Sequence, residues 1–201
     1  MSGMLSNMTL AWAQNRNATI LLSASKGAVK FASEQEIATQ VMHYNGSIPG
    51  PVIRVPQGEE SIIQFSNHLP EATSIHWHGL RISNEMDGVP GMTQEPIPAG
   101  RDFEYCFTPP DAGTYWYHTH QRAWDQLSRG LAGVLIVEED NPPMVDQDLV
   151  FSIDDWRLNK QLQIDDESLG AMHDWAHGGR MGNMITVNGK FKEQFEVSKG
   201  E

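Results

Sequence analysis

The stretch GTYWYHTH, residues 113–120, decides the fold: three aromatic residues stand in a row, and two histidines two positions apart follow them. Aromatic residues and threonine favour an extended, half-buried chain. In a strand, side chains two apart project from one face, roughly 6.6 Å apart along the chain. His118 and His120 should therefore point the same way, toward a protected spot. The same texture repeats on both sides of this stretch. Extended candidates are ATILLSAS (18–25), VKF (29–31), VMHYN (41–45), VIRV (52–55), ESIIQFSN (60–67), TSIHWHGLRI (73–82), DFEYCFT (102–108) and GVLIVEE (133–139). NGSIPGP, PQGE, MDGVPG, PIPAG and PPDAG punctuate them. Many short strands separated by Gly, Pro and Asn predict an all-β sandwich or barrel. Only AWDQLSRG (123–130) carries a short helical pattern.

At 201 residues the chain has room for one complete domain and part of another. Residues 1–17 read as a disordered N-terminal extension and 18–140 as the first β domain. EEDNPPMVDQD (138–148) marks a composition shift typical of a linker, so 141–201 reads as linker and a partial second domain with strands in LVFSIDDWRL and MITVNGKF. A net charge of −12 with no basic patch argues against nucleic acid as a partner. No run approaches the roughly 20 apolar residues of a membrane-spanning helix. The N-terminal stretch lacks the pattern of a signal peptide, and a single cysteine, Cys106, excludes an intrachain disulfide or a cysteine metal cluster. Asn7, Asn17 and Asn45 each begin an N-x-S/T triplet, a pattern common by chance.

A second pair matches the first. In SIHWHGL, residues 74–80, His76 and His78 flank Trp77, and Gly79 permits close backbone approach. Two such strands in one β domain can converge four imidazoles, ligands that suit copper, zinc, iron or nickel rather than magnesium or calcium. A pair could chelate one ion or divide between two. From pattern alone, Asp87 in EMDGVPG reads as a turn residue before Gly88, with a carboxylate that orients a ligand or relays protons as the alternative. Cys106 reads as a small buried core residue. MHDWAHGGRMGNM (172–184) offers Met172, His173, His177, Met181 and Met184 to Cu(I), but its glycines favour an exposed loop. His43 and His68, without partners in sequence, read as structural or surface residues.

Taken in order, YNGSIPGPVIRVPQGE, SIHWHGLRISNEMDGVPGMTQEPIPAG, FEYCFTPPDAGTYWYHTH and RGLAGVLIVEE resemble the laccase-like multicopper oxidases, which are built of cupredoxin domains. The resemblance is dense over residues 40–139, and DDWRL and MITVNGKF look like the start of that family's second domain. It implies a cupredoxin-like Greek-key β-sandwich followed by an incomplete second one. It also implies a reaction in which electrons from a phenolic or metal-ion substrate reduce O2 to water. By the same resemblance His76 would serve the type 2 copper, His78 and His118 one type 3 copper, and His120 the other. Asp87 falls where related bacterial enzymes carry an acid that assists proton delivery, which displaces the turn-only reading. The family's other two motifs, of His-Pro-x-His-x-His and His-Cys-His type, are absent, and Thr119 stands between the second pair. The resemblance therefore implies an N-terminal part of a longer, exported or periplasmic oxidase, without a type 1 copper and inactive alone. A copper-sequestering protein, a scaffold that has lost copper, and a mononuclear zinc or iron protein are the competing readings.

Overall fold

The structure is a computed structural model that describes residues 19–176 and 179–198. The expectations for residues 1–17, which include Asn7 and Asn17, and for His177 lie outside the described residues.

Alternating apolar positions build two facing sheets. The first contains β1 (Ile20–Val29), β2 (Thr39–Tyr44), β4 (Ser61–Asn67) and β6 (Asp102–Phe107), in the order β2-β1-β4-β6. The second contains β3 (Gly50–Pro56), β5 (His76–His78), β7 (Gly113–His118) and β8 (Ala132–Glu138), in the order β3-β8-β7-β5. The pairs β1·β4 and β3·β8 are parallel and the others antiparallel, so the chain crosses repeatedly between sheets as a Greek-key sandwich does. Leu22, Tyr44, Phe65, Trp77, Tyr105, Tyr117 and Leu135 meet between the sheets. Burying each such side chain contributes about 1.5–3 kcal/mol. Trp77 sits at the centre, edge-on to Tyr105 at 5.3 Å and tilted against Phe107 at 5.0 Å.

Period two corrects the expectation for Cys106. Its neighbours Tyr105 and Phe107 are buried, so Cys106 points to the other side of β6 and is only half-buried. Two extended candidates also shrink. VKF forms no strand of its own, because β1 runs on to Val29 through its ladder with β2. TSIHWHGLRI yields only the three residues of β5. Upstream, the Thr73 backbone pairs with Ile97, and the Ile75 N–H donates to the Tyr105 hydroxyl at 3.0 Å. Downstream, Gly79 turns the chain at φ +86°.

Residues 139–152 form no strand, and the chain then enters an antiparallel ribbon of β9 (Ile153–Trp156) and β10 (Met184–Val187). Trp156 anchors the ribbon against Phe31 at 4.7 Å, in a small cluster with Val41, Leu158 and Ile164. Two short helices complete the description, α1 (Ala123–Gln126) and α2 (Met172–Ala176). Among the described residues no helix is long and apolar enough to cross a membrane. The Asn45 side chain is engaged in the fold: its Oδ1 accepts the Ser23 N–H at 2.7 Å, and its Nδ2 donates to the Leu21 carbonyl at 2.8 Å.

Candidate metal centre

Register brings the two histidine pairs together. In the β5·β7 ladder His76 stands opposite His118, Trp77 opposite Tyr117, and His78 opposite Trp116. Residues directly opposite share a face, so one face receives His76, His78, His118 and Trp116 while Trp77 and Tyr117 fill the core. The His76 ring lies 5.4 Å, centroid to centroid, from each of His78, His118 and His120. His118 and His120 lie side by side at 6.2 Å, as their spacing predicts. Trp116 stacks on His118 at 4.1 Å and leans on His78 at 4.8 Å, covering one side of the site.

Backbone carbonyls set which ring nitrogens are free. His118 Nδ1 lies 2.7 Å from the Thr119 carbonyl oxygen, and His76 Nδ1 lies 2.7 Å from that of Asp87. A carbonyl only accepts, so both Nδ1 atoms carry the hydrogen and both Nε2 atoms present a lone pair. His118 Nε2 faces His78 Nδ1 at 3.3 Å, a separation that two nitrogens bonded to one ion at roughly 2.1 Å would span. One ligand nitrogen from each of His76, His78 and His118 falls within 4.8 Å of the others, and this trio could hold a metal ion. His118 is 6% exposed. Burial pushes its pKa down to about 4, against the pull of its bond to Thr119 and with help from the three neighbouring imidazoles. The ring is thus kept in the neutral form that binds metal.

Asp87 stands in a turn that touches His76. It ends the 3-10 turn Asn84–Met86, donating its N–H to the Asn84 carbonyl at 3.2 Å. Its carbonyl also orients His76, and its carboxylate Oδ1 lies 3.5 Å from His76 Nδ1. Gly88 makes this approach possible: a Cβ there would lie 1.6 Å from the Ile75 carbonyl oxygen, and φ is +77°.

The remaining candidates lie elsewhere. His68 is exposed. His43 Nδ1 accepts the Gly46 N–H at 2.9 Å, and burial lowers its pKa. Met172 and Met181 are exposed, whereas Met184 packs against the Trp156 cluster. Sequence reasoning missed the support of the second pair. The His120 N–H donates to the Ser74 hydroxyl at 3.2 Å, and Thr119 is fully buried with Thr73 and Gln126. Ser and Thr beside histidines were the available signal; Gln126, six residues on in a short helix, offered none.

Comparison with known proteins identifies the family. Residues 25–142 match the family described as multicopper oxidase. Laccase-1 of Cryptococcus neoformans var. neoformans serotype D is 42% identical over 137 residues, which make up 64% of this chain and 22% of that protein. Copper resistance protein A of Pseudomonas syringae pv. tomato is 39% identical over 117 residues, covering 57% of this chain and 19% of that protein. The crystal structure of a multi-copper oxidase from Pseudomonas thermotolerans superposes with a TM-score of 0.81 at 35% identity, over 87% of this chain and 42% of that one. Lac15, from a marine microbial metagenome, has 51% identity and a TM-score of 0.69 over 73% of this chain and 39% of its own. The chain thus spans roughly a fifth of the length of these two curated relatives, 22% and 19%.

Proposed function

The chain belongs to the multicopper oxidase family, and on that premise we propose that its four imidazoles supply half the ligands of a trinuclear copper cluster in a laccase-like oxidase. The observation that carries this reading is the convergence of the two pairs, with His78 Nδ1 and His118 Nε2 3.3 Å apart. Copper bound there would accept electrons drawn one at a time from a phenolic or metal-ion substrate and deliver them to O2, yielding water. The donor set suits it: four imidazole nitrogens, two with their tautomer fixed by a carbonyl, beside an indole stacked on His118.

Each residue has an assigned part. His78 and His118 share one type 3 position, His120 serves the other, and His76 serves the type 2 position. Asp87 holds the His76 ring through its carbonyl and keeps a carboxylate beside the site, where it can pass protons inward. Residues 18–140 form the first cupredoxin-like domain in this reading, and 141–201 the linker and the beginning of a second. The working protein is exported or periplasmic, and the 201 residues by themselves do not turn over.

Copper titration of the chain tests the proposal. Cu(II) should bind at the histidine cluster with a nitrogen-rich electron paramagnetic resonance spectrum, and the signal should vanish in a His78→Ala, His118→Ala double variant. Copper held equally well by that double variant would remove these residues from the site.

A further inference from the structure

Beyond the β5·β7 ladder, the two halves of the site meet at one buried polar knot. Gln126, at the end of α1, is fully buried, as are Thr73 and Thr119. Gln126 Oε1 accepts hydrogen bonds from both threonine hydroxyls at 2.8 Å, and its Nε2 donates to the Ala72 carbonyl at 2.9 Å. A flipped amide would set the Gln126 and Ala72 carbonyl oxygens against each other, which fixes the orientation. The contact to Gln126 is the shortest each hydroxyl makes; the Thr119 hydroxyl also lies 3.3 Å from the Gln121 carbonyl oxygen and accepts the Gln121 N–H at 3.2 Å.

The position of this knot gives it consequence. Strand β7 and its ladder with β5 stop at His118, so no sheet bond reaches Thr119 or His120 from β5. Past that point the second pair is tied to the first through side chains: Thr119 to Gln126, which also holds Thr73, and the His120 N–H to the Ser74 hydroxyl at 3.2 Å. Thr73 and Ser74 lead directly into β5 and its two histidines.

We propose that Gln126 is a positioning residue for the metal centre: it ties Thr73, at the head of one histidine strand, to Thr119, between the histidines of the other. It thereby sets where His120 stands relative to His76 and His118. Thr119 is accordingly the clamped point of the second pair rather than a spacer. This inference rests on the copper-site reading above.

The test compares wild type, Thr119→Val, Thr119→Ser and Gln126→Met in the same chain, with Cu(II) as the probe. Thr119→Val keeps the shape, removes the hydroxyl, and leaves Gln126 paired to Thr73 and Ala72. It should raise the copper dissociation constant about 10- to 100-fold, with a changed nitrogen hyperfine pattern. Gln126→Met should do the same, and Thr119→Ser should match wild type. Amide hydrogen exchange without metal gives a second reading: the Thr119 and His120 N–H groups should exchange about tenfold faster in the valine variant than in the serine variant. Equal copper affinity and equal exchange in the valine and serine variants would overturn the clamp. A wild-type chain that takes up no copper would instead overturn the copper-site reading, while the exchange comparison would still decide the clamp.

Discussion

The two His-x-His segments share a spacing and differ in what holds them. His76, Trp77 and His78 all lie inside β5, where the ladder with β7 fixes both imidazoles and drives Trp77 into the core. In the second pair only His118 belongs to a strand, while Thr119 and His120 continue beyond it. The residue between the histidines is therefore a core tryptophan in one pair and a hydrogen-bonded threonine in the other. Identical spacing produced two kinds of support because β7 ends at His118.

Replacing the middle residues should expose the contrast most strongly. Trp77→Ala should cost about 3–5 kcal/mol in urea unfolding, because it empties the centre of the sandwich. Thr119→Val should cost only about 1 kcal/mol, the scale of a lost hydrogen bond. Comparable losses would mean that the pairs are supported alike.

A pH series of the metal-free chain probes the buried member. Burial holds the His118 pKa at about 4, against 6.5 for an ordinary histidine. The unfolded chain therefore takes up this proton at higher pH than the folded one, and stability rises with pH between those values. The contribution is complete above about pH 6.5 and shrinks as pH falls toward 4, by no more than about 3 kcal/mol before solvent screening. Urea midpoints at pH 4.5 and 7 should separate in wild type, and the gap should narrow in His118→Gln. An unchanged gap would assign the pH dependence to other groups.

Copper affinity resolves the pairs further. The compact trio of His76, His78 and His118 survives removal of His120, so His118→Ala should weaken Cu(II) binding about tenfold more than His120→Ala, or roughly 1.4 kcal/mol. The smallest effect belongs to the methionines of residues 172–184. Met172→Ala with Met181→Ala should leave Cu(II) affinity unaltered and stability within about 0.5 kcal/mol, because both side chains are exposed and neither belongs to the histidine trio.

Much of this was legible in the chain. Short apolar stretches between turn signals marked β4, β6 and β8 almost to their ends, and the aromatic run before His118 identified the strand that carries it. Cys106 was misread for a physical reason: buried neighbours on both sides of a strand residue imply that the residue itself points away from the core. Asp87 read first as a turn residue and then, by resemblance, as an acid near the metals. The residue stands in a turn, and its carboxylate lies 3.5 Å from His76 Nδ1 because Gly88 lets that turn lie against Ile75 and His76.

The sequence by itself determined an all-β chain and the four imidazoles, since extended-chain preference and the chemistry of the side chains are local properties. Only the tertiary structure decided that His76 faces His118 and that His78 Nδ1 meets His118 Nε2 at 3.3 Å. It alone placed Asp87 on His76 across 11 residues and recruited Gln126 to Thr73 across 53. Register and buried hydrogen bonds join residues distant along the chain, and they follow from how the sheets pack rather than from any pattern within one segment.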